Sequence, residues 1–426
     1  MKSSLVYLVN AFQLRFKNIY NNVVFLFFIH LLGTEFISIN RWIGSLVCLY
    51  AIIGITICII KRGTFKFPFS NLIGCLFCLY LFLDFVCVIV QSYFRENLIW
   101  GNEILSFFSY HIVVSNYYLA FLLPFITLLD YRRFKFSAFL QLAVWVSIIG
   151  IVCFLFNISD LLSVILSKDE FPWKNYSNCF DAVAFCLFLL PLIKNKRKYL
   201  VVAAFGIITL LITIICARRG ATLTIGIIFL FSACLYAKNI SYKYIPIYWL
   251  LIVGIVFGGF KIYHQQSNTL FKNMTQKGLY DSREIVANYF EKDMFNSSDI
   301  WFGRGLNGMY YCPQRYVVDG KYEYVKYRYA IETGFYHLIL KGGIIFAVLH
   351  VLILLGAVIN GLFFSKNMVV KAFSLWILLS LIELYPFGWP SFSIKFLLIW
   401  IGTCLCYNRQ YLNMNNDRIC QILRIQ

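Results

Sequence analysis

Long apolar segments separated by short polar ones constrain this chain more than any other feature of its sequence. Hydrophobic residues make up 61% of the chain and charged residues only 13%, against about 25% charged residues in an average soluble protein. So few charges cannot cover a water-soluble globule. The composition also excludes a disordered chain and a disulfide-stabilised secreted module. It indicates an all-α protein that crosses a membrane many times.

Twelve segments are long and apolar enough to be membrane spans, since a spanning helix needs roughly 20 apolar residues. Their approximate limits are 20–38, 42–60, 67–90, 107–129, 136–157, 176–193, 199–217, 220–237, 244–262, 342–364, 368–386 and 388–407. The sequence therefore divides into 1–262 with spans 1–9, one large polar loop at 263–341, and 342–426 with spans 10–12 and a C-terminal tail.

Basic residues follow every even-numbered span, and they set the predicted orientation. Examples are Arg62, Arg132, Lys196, Lys238, Lys366 and Arg409. Short cytoplasmic loops carry an excess of Lys and Arg, so both termini are expected in the cytoplasm and the loop 263–341 outside. The net charge of +19 is then a topology signal, and no nucleic-acid partner is expected.

Seven charged residues fall in or at the outward halves of predicted spans. They are Glu35, Asp84, Asp181, Arg218, Arg219, Glu383 and Lys395. A charge near the bilayer centre costs about 2.5–3.5 kcal/mol even on the mildest scale, so such residues are candidates for function. Each one alone is equally well explained by a side chain that extends to the outer headgroups. Together they predict one polar cavity that opens to the outside.

Two adjacent arginines, Arg218 and Arg219, lie in the very short connection between spans 7 and 8. Gly220 follows them and permits a tight reversal. Guanidinium groups match phosphate oxygens bidentately and keep their charge. The pair is therefore a candidate phosphate-binding site, and the alternative is an anchor on lipid phosphates.

The large loop is expected to contain an amphipathic helix, because Val286, Phe290 and Met294 recur every four residues. Asp281 is a candidate N-cap, which places Arg283 in the first turn. A helix N-terminus with an arginine favours an anion. The alternative is an arginine on a solvated face.

The segment Gly303–Gly308 matches the G-x-G-x-x-G pattern of dinucleotide-binding folds. That fingerprint requires a surrounding βαβ unit, which an external membrane loop does not offer. The segment instead predicts a turn whose backbone passes close to another group. Gly303, Arg304 and Gly305 are kept as candidates for substrate binding.

Glu332 is a carboxylate at the membrane edge, where the loop returns to span 10. It is a candidate general base, and the alternative is an ion pair with Arg283 or Arg328.

No Asp-x-Asp motif occurs in the chain. Neither a catalytic metal nor a cofactor is expected.

The motifs, taken in order, resemble those of the O-antigen polymerase and O-antigen ligase superfamily. The resemblance covers the twelve-span layout and is sharpest from about residue 216 to 345. It rests on Arg219-Gly220, Ser282-Arg283, the turn from Gly303 to Gly305, and Gly343-Ile344 at the end of the loop return.

The resemblance implies a glycosyltransferase of the GT-C type in the bacterial cytoplasmic membrane. It would act at the outer face on sugar chains linked to undecaprenyl pyrophosphate, for lipopolysaccharide O-antigen or capsule. Ligases move the chain to lipid A–core and typically have a His-Asn pair where this sequence has Glu332-Thr333. The departure favours a polymerase. A chain-length regulator and a repeat-unit flippase are the partners that the family implies.

In that interpretation Arg219 and Arg283, with Arg218 in support, stabilise the charge on the leaving pyrophosphate, and Glu332 accepts the proton of the attacking hydroxyl. Sugars and phosphates would contact Arg304, Gly303, Gly305, Asp84 and Asp181.

A flippase or other transporter is the rival hypothesis. The lack of similarity between residues 1–198 and 199–426 counts against it, because transporters commonly contain repeats.

Overall fold

The structure is a computed structural model. It describes residues 25–26, 29–30, 32–33, 41–62, 71–90, 120–128, 184–193, 196–215, 219–237, 283–318, 321–385, 388 and 390–423.

Helices account for most of the described residues. They are α1 (Arg41–Arg62), α2 (Asn71–Leu83, continued by a π-helix at Asp84–Val90), α3 (Lys196–Ile215), α4 (Arg219–Ala237), α5 (Arg283–Met294), α6 (Gly334–Ile359, continued by a π-helix at Asn360–Phe364), α7 (Met368–Glu383), α8 (Ile394–Tyr407), α9 (Arg409–Asn413) and α10 (Asn416–Leu423). Short 3₁₀ turns occur at Leu123–Leu128, Leu190–Leu192 and Ser298–Ile300. Two antiparallel strands, β1 (Tyr310–Val318) and β2 (Lys321–Arg328), form a hairpin.

The chain forms two compact units, 1–135 with 281–423 and 136–280 with 424–426. In the second unit, α3 packs against α4. Their approach is close at Gly206, where an added Cβ would lie 2.7 Å from Leu187 and 3.1 Å from Phe229. Small residues at such contacts let helices approach each other closely, as is common in membranes.

The first unit is built on a layer of helices in which α6 contacts α2, α7 and α8. Aromatic rings join three of them: Tyr80 of α2 stacks on Phe346 of α6 at 4.8 Å and lies 5.7 Å from Trp400 of α8. The Tyr407 hydroxyl donates to the Ile353 carbonyl at 2.7 Å. This layer carries the loop that contains most of the candidate site.

Among the residues that the structure describes, one helix, Gly334–Phe364, is long and apolar enough to cross a membrane. The helices α1, α2, α3, α4, α6, α7 and α8 overlap predicted spans 2, 3, 7, 8, 10, 11 and 12 in sequence. The predicted spans 136–157 and 244–262 lie outside the described residues, and 20–38, 107–129 and 176–193 are described only in part. The count of twelve stays a prediction.

The helix α6 begins at Gly334, eight residues before the limit of 342 that the sequence suggested. Gly342 and Gly343 read as the end of a loop, but they lie inside the helix, where Gly343 has φ 82° and ψ 174° and interrupts the helical backbone. A short helical segment before the kink and the apolar helix after it meet at Gly343. The predicted limit of 342 falls at this kink, and the division of the chain there stays a prediction.

The β-hairpin in the large loop was not predicted from the sequence. Its signal is present, because Asp319-Gly320 separates two runs rich in Tyr and Val, and an Asp-Gly pair between such runs favours a hairpin. The hairpin packs on α5.

Candidate functional site

The predicted amphipathic helix of the loop is confirmed as α5. Val286, Phe290 and Met294 are all buried on one face, as the four-residue spacing requires. Arg283 is the first residue of the helix, although its side chain lies outside the described part of the chain. The proposed cap, Asp281, lies there too.

Aromatic contacts hold α5 against the first turn of α6. The Phe290 ring stacks on Tyr336 at 4.9 Å and meets Tyr310 of β1 edge-on at 5.5 Å. The Tyr336 hydroxyl donates a hydrogen bond to the Glu291 carboxylate. The helix that begins with Arg283 and the turn that carries Glu332 therefore belong to one packed assembly.

Glu332 lies in the turn just before α6, and its side chain is exposed. The turn is held by a hydrogen bond to the end of α7, in which Phe335 N–H donates to the Leu384 carbonyl at 3.1 Å. An added Cβ on Gly334 would overlap the Gly388 backbone. An exposed carboxylate on a rigid turn can accept a proton from a substrate hydroxyl.

The turn from Gly303 to Gly305 passes directly against the kink in α6. Both glycines have positive φ, 72° and 74°. Arg304 N–H donates to the Leu340 carbonyl at 2.8 Å, and Gly305 N–H donates to the Lys341 carbonyl at 3.0 Å. An added Cβ on Gly303 would lie 2.6 Å from the Gly343 nitrogen. The predicted close passage of backbone is therefore present, and its neighbour is the α6 backbone.

Arg304 is held by acidic residues of the loop itself. Its Nε donates to Asp299 at 2.8 Å, and its Nη1 donates to Asp293 at 2.6 Å and to the Met309 carbonyl at 2.7 Å. Partial burial lowers the pKa of Arg304, but its hydrogen bonds to Asp293 and Asp299 outweigh burial and leave the pKa raised. Two carboxylates compensate its charge, which favours a role in holding the loop over the predicted role in substrate binding.

Lys341 is a buried lysine whose ammonium group has three acceptors. Its Nζ donates to the carbonyls of Leu306 at 2.8 Å, Gly308 at 3.0 Å and Tyr329 at 2.7 Å. A buried ammonium requires such compensation. Lys341 thus fastens the Gly303 turn and the end of β2 to α6.

Asp84 lies at the start of the π-helix that continues α2, and its side chain is fully buried. Neither carboxylate oxygen has a hydrogen-bond partner among the residues that the structure describes. One turn earlier, the Tyr80 hydroxyl and His350 Nδ1 are 3.0 Å apart. Asp84 is closed off from solvent, so it does not line an open outward cavity as predicted.

Two more of the predicted cavity residues, Glu383 and Lys395, form an ion pair with each other. The pair lies between the end of α7 and the start of α8, and the Glu383 side chain is only 4% exposed. Mutual neutralisation accounts for both charges without a substrate.

The remaining predicted site residues are described incompletely. Glu35, Asp181 and Arg218 lie outside the described residues. Arg219 begins α4, in the second compact unit, and its side chain is not among those described. Their proposed roles remain predictions.

The residues that anchor the loop were not found from the sequence. Asp293, Asp299 and Lys341 stand 5 to 35 residues from the groups they bind, and no short motif joins them. A weak signal existed at Lys341, because a lysine next to Gly342-Gly343 at the head of an apolar helix is a charge that needs a partner.

No family model matches the chain, and comparison with the curated proteins and with the solved structures finds no match.

Proposed function

We propose that this chain is a multi-pass membrane glycosyltransferase that polymerises oligosaccharide units carried on undecaprenyl pyrophosphate. The observation that carries the proposal is the folded loop on α6. It packs the helix that begins with Arg283 and the turn with the exposed Glu332 into one assembly. A helix N-terminus that begins with an arginine can bind the pyrophosphate, and an exposed carboxylate can accept the proton of the acceptor hydroxyl.

The membrane location is supported by an exposed apolar stripe on α6. Its members are Val348, Leu352, Leu355, Ile359 and Phe363, each at least 41% exposed. Their spacing of three or four residues defines one helix face. A contiguous apolar face of this length is a liability in water and a normal surface in lipid. The helix α1 carries a similar face with Trp42, Leu46, Tyr50, Ile53 and Ile57.

In the proposed mechanism, a sugar hydroxyl attacks the anomeric carbon of the lipid-linked donor, and undecaprenyl pyrophosphate leaves. The leaving group is already acidic, so it needs charge neutralisation more than a proton. Arg283 supplies that charge through bidentate hydrogen bonds. The sequence predicts the same role for Arg219, with Arg218 in support. Glu332 accepts the proton of the attacking hydroxyl. Asp181 remains a proposed contact for the sugars.

The orientation can be tested by labelling single cysteines from outside intact cells. Asn296, which is exposed after α5, should be labelled when replaced by Cys. Lys196 should not, because it begins α3 at an end predicted to be cytoplasmic. Labelling at position 196 and protection at 296 would reverse the topology and remove the proposed mechanism.

The activity can be tested with purified protein and a defined lipid-linked repeat unit. A ladder of products supports a polymerase, and a single transfer onto lipid A–core supports the ligase alternative. The absence of both products would contradict glycosyl transfer.

A flippase is the second candidate, and one observation favours it. Asp84, Tyr80 and His350 form a polar group inside the helix layer, and buried ionisable residues in membrane helices often belong to transport paths. Movement of the lipid-linked unit across vesicles without any new glycosidic bond would support this candidate.

A further inference from the structure

Three large aromatic side chains project from the short segment Phe295–Phe302, here named the aromatic turn. Phe295, Trp301 and Phe302 are 52%, 56% and 53% exposed. Most residues of this size are buried when they belong to an ordered fold, and a cluster of them on the surface marks an interaction site.

The backbone of the aromatic turn is well ordered by its own hydrogen bonds. Ser297 caps the 3₁₀ turn by accepting from Asp299 N–H at 3.2 Å, and Gly303 N–H donates to the Asp299 carbonyl at 2.7 Å. Asp299 is in turn held by Arg304. The exposed rings are therefore presented from a fixed platform.

The platform is fixed at a defined level of α6. The Trp301 carbonyl and the Phe302 nitrogen lie against Gly343, so closely that an added Cβ on Gly343 would overlap both. From Ile344 to Phe363 there are about 20 residues, which at about 1.5 Å per residue give about 30 Å. That length equals the hydrocarbon thickness of a typical bilayer.

If the apolar face of α6 spans the hydrocarbon, Gly343 marks its boundary. The exposed stripe begins at Val348, about one turn further along α6, and continues to Phe363. The residues on the other side of Gly343 include the buried Lys341 and the polar loop. Trp side chains are enriched at this level of a membrane because the ring is apolar and its N–H is polar.

We propose that the aromatic turn is a membrane-interface anchor, in which Trp301 and Phe302 insert at the boundary between lipid headgroups and acyl chains. The occupant of this surface is the bilayer itself, because the turn packs on α6 at Gly343, the level at which the hydrocarbon ends. The anchor rests on the proposed membrane location but is independent of the proposed chemistry. It would hold the loop at a constant depth above a lipid-borne substrate.

The test uses the full-length protein in nanodiscs, with its nine tryptophans replaced biosynthetically by 5-fluorotryptophan. Comparison with the Trp301→Phe variant identifies the fluorine resonance of Trp301. A phospholipid with a nitroxide near the top of its acyl chain and a water-soluble gadolinium chelate then report lipid and water contact separately. Trp376, which is 2% exposed, is identified in the same way as the buried control.

We expect the nitroxide lipid to broaden the Trp301 resonance more strongly than the gadolinium chelate does, and neither to broaden Trp376. Broadening by gadolinium alone would place Trp301 in water and overturn the proposal. Broadening by neither would mean that the turn is covered by another part of this protein, which also overturns the proposal.

Trp42 separates this failure from a failure of the membrane location. It is 78% exposed on α1, far from the aromatic turn in sequence, and it should contact lipid in any membrane-embedded arrangement. Lipid broadening at Trp42 but not at Trp301 would contradict the anchor and leave the membrane location intact. No lipid broadening at either residue would sink the membrane location as well.

Discussion

Lys341 and Asp84 are both buried charged side chains of the first compact unit, yet their surroundings differ completely. The Lys341 ammonium donates to three backbone carbonyls, whereas neither oxygen of Asp84 has a hydrogen-bond partner among the described residues. A buried polar group with full compensation rigidifies a fold, and one without it costs free energy. The hydrogen bonds of Lys341 thus stabilise the folded loop. The helix layer around Asp84 instead contains a buried carboxyl group that lowers stability.

Arg304 and Arg283, two arginines of the loop, are expected to have different roles. Arg304 is neutralised by Asp293 and Asp299, so it is expected to serve folding. Arg283 begins a helix and is expected to serve chemistry. The comparison therefore yields variants that should act on turnover and variants that should act on stability.

The largest effect is expected for Glu332→Gln, which removes the proposed base but keeps its size. Turnover should fall by about 10²–10⁴, the usual contribution of positioned acid–base catalysis, with donor affinity largely kept. Product formation and lipid-linked donor binding are measured on the same preparation. Asp417→Asn, an exposed carboxylate on α10, is the control and should change neither. A loss of donor affinity with near-normal turnover would make Glu332 a structural partner of an arginine.

Arg219→Ala and Arg283→Ala are each expected to lower turnover by about 10²–10³, equivalent to about 2.7–4 kcal/mol of transition-state stabilisation. Lys at either position should rescue only in part, because an ammonium cannot bind two oxygens bidentately. Product ladders and membrane expression levels are the measurements. Full activity in both Ala variants would remove the pyrophosphate site.

Arg304→Ala is the matched change in the scaffold. It leaves Asp293 and Asp299 without their shared cation, so the loop should lose about 1–3 kcal/mol of stability, while turnover per folded molecule stays near normal. Limited proteolysis of the loop and thermal unfolding in detergent follow the change. A folded, protease-resistant variant with no turnover would contradict this role and support the earlier prediction that Arg304 binds substrate.

Lys341→Met should destabilise by a similar amount, about 1–3 kcal/mol, because buried carbonyls lose their donor. Lys366→Met, at an exposed lysine, is the control and should leave unfolding unchanged. An equal unfolding temperature for both variants would show that the three hydrogen bonds of Lys341 contribute nothing net.

The smallest effect is expected for Asp84→Asn. Because Asp84 is closed off from solvent, polymerisation should remain within about twofold of the parent, a change below 0.5 kcal/mol. Product ladders measure it. A large loss of polymerisation would restore Asp84 as a sugar contact, and a loss confined to lipid movement would favour the flippase.

The sequence predicted structure best where the pattern lies within a few neighbouring residues. The four-residue spacing of Val286, Phe290 and Met294 predicted α5, and the glycines at 303 and 305 predicted a close passage of backbone. The helical turns from Gly334 to Gly342 were assigned to the loop because the glycine pair indicated a break, and that break is present at Gly343 with helix on both sides of it. The ion pairs of Arg304 with Asp293 and Asp299 were missed because such pairs follow from packing, not from local spacing.

The meeting of Gly303 and Gly343 has a consequence for how this sequence can vary. Each glycine has positive φ, and each leaves no space for a Cβ because of the backbone it touches. Backbone atoms cannot be trimmed by a second substitution, so a side chain at either position has no compensating partner elsewhere. In a saturation scan these two sites should tolerate no replacement, and revertants should restore glycine itself.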